Sequence, residues 1–423
     1  MVTRKKRRTA AVPEQPSGTL AIQMPPEKAE PASIGNVLMM VVPMLGSTGV
    51  MVFMAMQNPD NTRSMLMGGG MLVAMLGMVG FNMYRQFSQY RTRVKTQRRE
   101  YLSYLAETRE SVRKVAKKQR AYYNWVYPSP DALVTLAANG SRLWSREGNT
   151  YNLLTFRYGS GTQPLGLIFE RPPIDPMTEM DVVCLSAMDR FIGVHDHTDN
   201  VGKFLYLGDF SHIEVVGDGE SAYDEMRAIM MHLACFIDPS KLKIAVLCSA
   251  DRLGDWEWVK WMPQARSSIV RDAVGPGRMI STDPRELAEM IGPDIAMRGA
   301  YRPGDDMPEW PHLLLVLDGA EFPPNSPFGS AVGVRGVTIM SRVREWTAMK
   351  SHTALRLVIH PNPDHKGADV VDVVTMDSLP EQAFADRLTA VQAEAVARRM
   401  TPFATQQNLE EAETPVGRSD EAR

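Results

Sequence analysis

The hydrophobic pattern changes character three times along the chain. Two uncharged runs come first, Ile34–Met56 of 23 residues and Ser64–Tyr84 of 21. A helix needs about 20 apolar residues to cross the hydrocarbon core, so these runs predict two transmembrane helices within 34–84. From Arg85 to Trp125 the chain has no Pro or Gly. Phe87, Val94, Tyr101, Thr108, Val115 and Tyr122 recur seven apart there, and Leu105 and Val112 form a second such pair. This weak heptad predicts a long helical stalk over 85–127, continuous with the second run. The sequence YPSP at Tyr127–Pro130 ends it.

Past Asp131 short apolar strands alternate with helical stretches. Strands are predicted at Tyr151–Tyr158, Leu165–Phe169, Lys203–Leu207, Ile213–Val216, Lys243–Cys248, His312–Leu317, Val337–Met340, Ala354–His360 and Val370–Thr375. Helices are predicted at Met177–Arg190, Ala222–Phe236, Asp255–Trp261, Pro284–Ile291 and Ala383–Met400. KIAVLCS and HLLLVLD are unbroken apolar runs, as strands covered on both faces require. The alternation predicts an α/β fold. The expected organisation is a disordered basic tail over 1–33, two transmembrane helices over 34–84, a stalk over 85–127, an α/β domain over 128–402 and a tail over 403–423.

Charge adds an orientation. The net charge of −2 gives no general preference for nucleic acid. RKKRR at Arg4–Arg8 and the basic cluster from Arg85 to Arg99 flank the uncharged runs, whereas the connection Gln57–Arg63 carries one basic residue. The positive-inside rule then places both termini in the cytoplasm, with basic stalk residues able to meet anionic lipid. Gly68–Gly70, Gly77 and Gly80 fit either close helix approach in an oligomer or simple helix flexibility. The three cysteines, Cys184, Cys235 and Cys248, lie in apolar segments without C-x-x-C spacing, as reduced core residues do. HDHTD at His195–Asp199 falls short of a zinc ligand set and is predicted to be a polar loop.

Candidate chemistry centres on VVGDGESAYDEM, Val215–Met226, between a predicted strand and a predicted helix. Gly217 and Gly219 fit the start of G-x-x-x-x-G-K-[ST], but Ala222, Tyr223 and Asp224 stand where Gly, Lys and Ser/Thr belong. Further along, PHLLLVLDG ends a strand in Asp318, the position of a magnesium-binding Asp in P-loop ATPases. Tyr223 brings no cation and Asp224 an anion. One unit-charge contact near 4 Å is worth about 4 kcal/mol at surface-like screening, so nucleotide affinity of the usual kind is not expected. A degenerate ATPase fold, a divergent active site and an unrelated turn remain open on these residues. Arg342 and Arg344 fit either arginine fingers reaching a neighbouring subunit or surface charges.

Several segments together resemble the N-terminal part of EccC, the FtsK/SpoIIIE-type ATPase of mycobacterial type VII (ESX) secretion. They are the paired uncharged runs, the stalk YRQFSQYRTRVKTQRREYL, HTDNVGKFLYLGDF, the stretch from VVGDGESAYDEM through DWEWVKWMPQAR (Asp255–Arg266), and DSLPEQAFADRLTAVQAEAVARRMTPF. The resemblance covers nearly the whole chain outside its tails. It implies a P-loop-ATPase-like α/β domain with a degenerate Walker A motif, in a multi-pass inner-membrane protein that assembles, as a hexamer, with EccB, EccD, EccE and the MycP protease. ATP and Mg²⁺ would be bound in further C-terminal domains that export Esx and PE/PPE proteins, with no cofactor in this segment. The motif positions carried over are Gly217, Gly219 and Asp318. The alternatives are the anchor of an FtsK-like DNA translocase and a non-enzymatic membrane scaffold.

Overall fold

The computed structural model describes residues 3–4, 12–30, 62–146, 153–273, 275–304, 310–344, 348–349, 351–364 and 368–404, with scattered helical positions between 39 and 57. The chain divides into two compact units, Pro16–Lys117 with Leu165–His197, and Met1–Gln15 with Lys118–Pro164 and Thr198–Arg423.

Among the described residues no helix is long and apolar enough to cross a membrane. This corrects the expected pair of transmembrane helices and, with it, the multi-pass inner-membrane placement with both termini cytoplasmic. The first run, 34–56, lies outside the described residues apart from isolated positions. The second forms the start of a long helix, Thr62–Val126. Gly68, Gly69, Gly70, Gly77, Gly80 and Asn82 dilute its apolar side chains, where a crossing needs about 20 predominantly apolar residues.

In the smaller unit the seven-spaced stripe is a packing face. Tyr101, Leu105 and Val112 are buried, in one cluster with Ile22, Leu165, Cys184, Met188 and Phe191. Helix Val182–His195 supplies three of these residues, and Asp181 caps it by accepting from the Val183 and Cys184 amides. Arg98 grips the same carboxylate with two nitrogens, at 2.9 and 2.8 Å. One carboxylate thus satisfies two orphan helix amides and a guanidinium. Strands Gly18–Ala21 and Leu167–Glu170 pair in parallel beside this core.

The larger unit is built on ten strands: β1 (Thr155–Pro164), β2 (His197–Tyr206), β3 (His212–Gly217), β4 (Leu242–Cys248), β5 (Ile280–Ser281), β6 (His312–Asp318), β7 (Val337–Val343), β8 (Ala354–Pro361), β9 (Asp369–Val374) and β10 (Glu381–Ala385). Their order is β5-β4-β6-β7-β3-β8-β9-β10-β1-β2. From β5 to β8 every pairing is parallel; β8, β9, β10 and β1 pair antiparallel. Alternate residues of the parallel strands line two faces. Ile213, Val215, Ile244, Val246, Leu314 and Val316 pack under helix Ser221–Phe236. Ala245, Leu247, Leu313, Leu315 and Ile339 meet Leu287, Met290, Phe322 and Phe328 on the other side.

The predicted helix Ala383–Met400 is corrected to strand β10 followed by helix Ala390–Met400. Its start lies further along because Thr389 and Gln392 form a capping box. Asp255–Trp261 is one α-helical turn, Leu253–Trp256, followed by a 3₁₀ stretch. Helix Pro130–Asn139, which the pattern did not predict, opens on Pro130 and closes on Gly140 at φ 65°, the asymmetric ends that favour Pro first and Gly last.

Candidate functional site

The parallel strands bring the sequence-derived positions to one edge of the sheet. β3 ends at Gly217 and β6 at Asp318, with β7 between them. Ligands of open α/β sheets bind outside this carboxyl edge. The loop after β3 is short. Only Asp218, Gly219 and Glu220 separate the strand from helix Ser221–Phe236. Gly219 takes φ 57°, where a glycine is at ease. Gly217 is pressed from the side: a Cβ there would stand 3.2 Å from the Ile359 Cβ and 3.3 Å from the Ala222 Cβ. The Ala222 methyl therefore closes the base of the loop.

Tyr223, at the lysine position, is buried and turned toward β6. Its hydroxyl donates to Asp318 Oδ1 at 3.2 Å. Trp256 Nε1 donates to the other oxygen, Oδ2, at 2.9 Å. Asp318 is 1 % exposed, so both oxygens of a buried carboxylate are held by donors on neutral side chains. A buried acid needs such partners. Burial and the neighbouring Asp318 push the Tyr223 hydroxyl above its ordinary pKa, so it remains a donor at neutral pH. Burial and the same carboxylate push the Cys248 thiol up to about 11. Arg342 donates to the Tyr223 hydroxyl at 3.3 Å and lies 4.5 Å from the ring centre. It thus serves its own chain's tyrosine, while Arg344 is exposed.

Asp224 does not face the loop as an unpaired anion, which corrects the repulsion expected of it. It is buried, ion-paired to Arg227 at 2.8 Å and approached by Arg387 at 3.7 Å. Arg227 also reaches back to Glu220 at 2.8 Å. Burial still raises the Asp224 pKa despite these cations. A magnesium-nucleotide of the P-loop kind does not fit these residues. Among the described residues no lysine stands at the loop, Ala222 fills its base, and Asp318 is bonded on both oxygens.

One turn into the same helix lies an arrangement the sequence did not disclose. Glu225 is buried and its Oε2 accepts from the Asp386 amide at 2.9 Å. Arg157 grips the Asp386 carboxylate with two nitrogens, at 2.7 and 3.0 Å, and donates to the Tyr127 carbonyl at 2.9 Å. That carbonyl follows the last residue of the long helix. Arg146 donates to the Val126 carbonyl at 3.1 Å and Arg142 to that of Trp125. Three guanidiniums thus satisfy the helix's terminal carbonyls and oppose its negative dipole end. Arg157 and Asp386 are 229 residues apart, and no local pattern links them. Trp256 had a weak signal, as part of an aromatic turn, with nothing in the sequence to tie it to Asp318. Elsewhere, His195 closes helix Val182–His195 and His197 opens β2.

No family model matches the chain. The ESX secretion system protein EccC of Thermomonospora curvata is 31% identical over 413 residues, which cover 96% of this chain and 30% of that protein. The chain belongs to the EccC family. The ESX-1 secretion system protein EccCa1 of Mycobacterium tuberculosis is 30% identical over 333 residues, covering 73% of this chain and 40% of that EccC protein. The chain thus spans well under half the length of these EccC relatives. A solved structure, the cytoplasmic domain of T. curvata EccC, aligns with a TM-score of 0.29 at 16% identity over 45% of this chain and 25% of that one, too loosely to bear on the site.

Proposed function

We propose that this part of an EccC-type secretion ATPase is a coupling module that turns over no nucleotide itself. The observation that carries the reading is the bond from Tyr223 to Asp318, which commits the metal-position carboxylate to the residue that replaces the lysine. Oxyanion and metal charge are the main levers of phosphoryl transfer, and among the described residues this edge of the sheet offers neither a lysine at the loop nor an open carboxylate at Asp318.

The second half of the reading rests on the chain of bonds from Glu225 through Asp386 and Arg157 to Tyr127. It ties the loop helix to the end of the long helix inside one compact unit. Displacement of either helix must move or break buried charge pairs, which resist distortion. In the full-length protein this module would pass motion from energy-converting domains, within a self-associated assembly with EccB, EccD and EccE that exports Esx-type proteins.

The test is ATP turnover by the purified chain. Release of phosphate at the level of a mock preparation is expected. Turnover that disappears in Asp318→Ala would overturn the reading.

A further inference from the structure

On the face of the sheet that carries Leu287 and Phe328, two cations have no counter-charge among the described residues. Arg266 and Arg278 are register partners on the paired strands Arg266–Asp272 and Gly275–Arg278. Among the described residues neither guanidinium has an acidic or hydrogen-bonding partner, and Arg266 Nε and Arg278 Nη1 are buried and unsatisfied. Burial first, then Arg278, lowers the Arg266 pKa. Native chains avoid this combination, because a buried charge or donor left unpaired costs free energy. It is tolerable where an anion completes the site.

A space for one adjoins Arg266. A cavity of about 240 Å³ is lined by Lys243, Arg266 and Arg298 on its polar side, by Met279, Ile295 and Leu313 on its apolar side, and by Trp310. Arg298 lies 5.1 Å from the Trp310 ring centre and is ion-paired to Asp294 at 2.8 Å, with its Nε buried and unsatisfied. Ile295 is also a wall of a second groove, of about 450 Å³, whose lining includes Ala288, Pro293, Ala296 and Phe328. Lys243 donates to the Arg266 carbonyl at 3.2 Å, which fixes the strand that presents the guanidinium.

We propose that this pair of cavities binds an extended acidic peptide segment of a partner protein. A carboxylate enters beside Arg266 and the adjacent apolar side chain crosses the turn Pro293–Met297 into the groove. Arginine forks match a carboxylate, and an apolar pocket with few placed polar groups is the usual form of a specific site. Asp294 in the wall favours a singly charged carboxylate over a dianionic phosphate. The Trp310 rim suits a peptide edge, and the predominantly apolar lining disfavours nucleic acid.

The experiment titrates the full chain with the capped dipeptide N-acetyl-leucyl-glutamyl amide, following the indole ¹H–¹⁵N resonance of Trp310. A saturable shift is expected with the glutamyl probe, at least tenfold weaker with its glutaminyl counterpart, and lost in Arg266→Gln. Arg266→Lys, which keeps the charge, should retain part of it. Absence of a shift, equal shifts from the two probes, or an unchanged titration in Arg266→Gln would overturn the proposal. So would a stronger saturable shift from inorganic phosphate or a short oligonucleotide. Arg278→Gln separates folding from binding. Weakening with an unchanged thermal midpoint supports the site, and unchanged binding in that variant removes the second arginine from it.

Discussion

Two acidic residues, whose partners on the loop helix stand two residues apart, are held in opposite ways. At the carboxyl edge of the sheet Asp318 is clamped by neutral donors, Tyr223 and Trp256. Beside the next turn Asp386 is held by the charged Arg157, with Glu225 fixed to its amide. A neutral clamp closes a site, since it occupies both carboxylate oxygens. A charged bridge connects elements, since Arg157 reaches the end of the long helix as well. Tyr223 and Glu225 are two residues apart, so one short stretch both shuts the nucleotide position and joins the helices.

That contrast can be broken from either side. The largest effect is expected from Arg157→Met, which leaves Asp386 buried without its cation beside Glu225 and uncaps the Tyr127 carbonyl. Breaking a buried pair from one side costs about 3–5 kcal/mol, read as a fall in the thermal midpoint and faster amide exchange at the end of the long helix. Next, Asp318→Ala strands two buried donors, Tyr223 and Trp256, at about 1–3 kcal/mol each; denaturant titration of the same chain measures it. Tyr223→Phe removes only one of the two bonds to Asp318, and a loss of about 1–2 kcal/mol is expected. A cost as large as that of Asp318→Ala would mean that Trp256 contributes little to the clamp.

The smallest effect is a slope. Burial, and then the neighbouring Asp386, raises the Glu225 pKa well above 4.5. The native chain therefore keeps a proton that the unfolded chain has released. Stability is full below the ordinary glutamate value and falls as pH rises through the raised one. Glu225→Gln keeps an acceptor for the Asp386 amide and removes the titration. Its stability is expected to change less between about pH 5 and 8 than that of the parent chain. An identical pH dependence in both proteins would remove Glu225 from the account.

Much of the parallel sheet was legible because its strands are short, apolar and bounded by turns. HLLLVLD became β6 within one residue of its predicted end, and helix Ala222–Phe236 began one residue early, at Ser221. Position 223 was legible too: the loss of lysine from the loop is plain in the sequence. What replaced its chemistry was not, because Asp318 lies 95 residues away and Trp256 comes from a third segment. The charge at Asp224 misled for a similar reason, since a residue of the first helical turn can point along the helix to Arg227 instead of toward a ligand. In the second uncharged run, absence of charge alone predicted a span, whereas glycines and Asn82 dilute the apolar side chains of the helix that forms there. Strand β10 was hidden because EQAFA, at its position, reads equally well as the first turn of a helix.

The clamp on Asp318 is the centre of the account, and calorimetric titration of the full chain with MgATP tests it most directly. No saturable heat up to millimolar nucleotide is predicted, in the parent chain and in Asp318→Ala alike. Saturable binding at micromolar MgATP that vanishes in Asp318→Ala would contradict it.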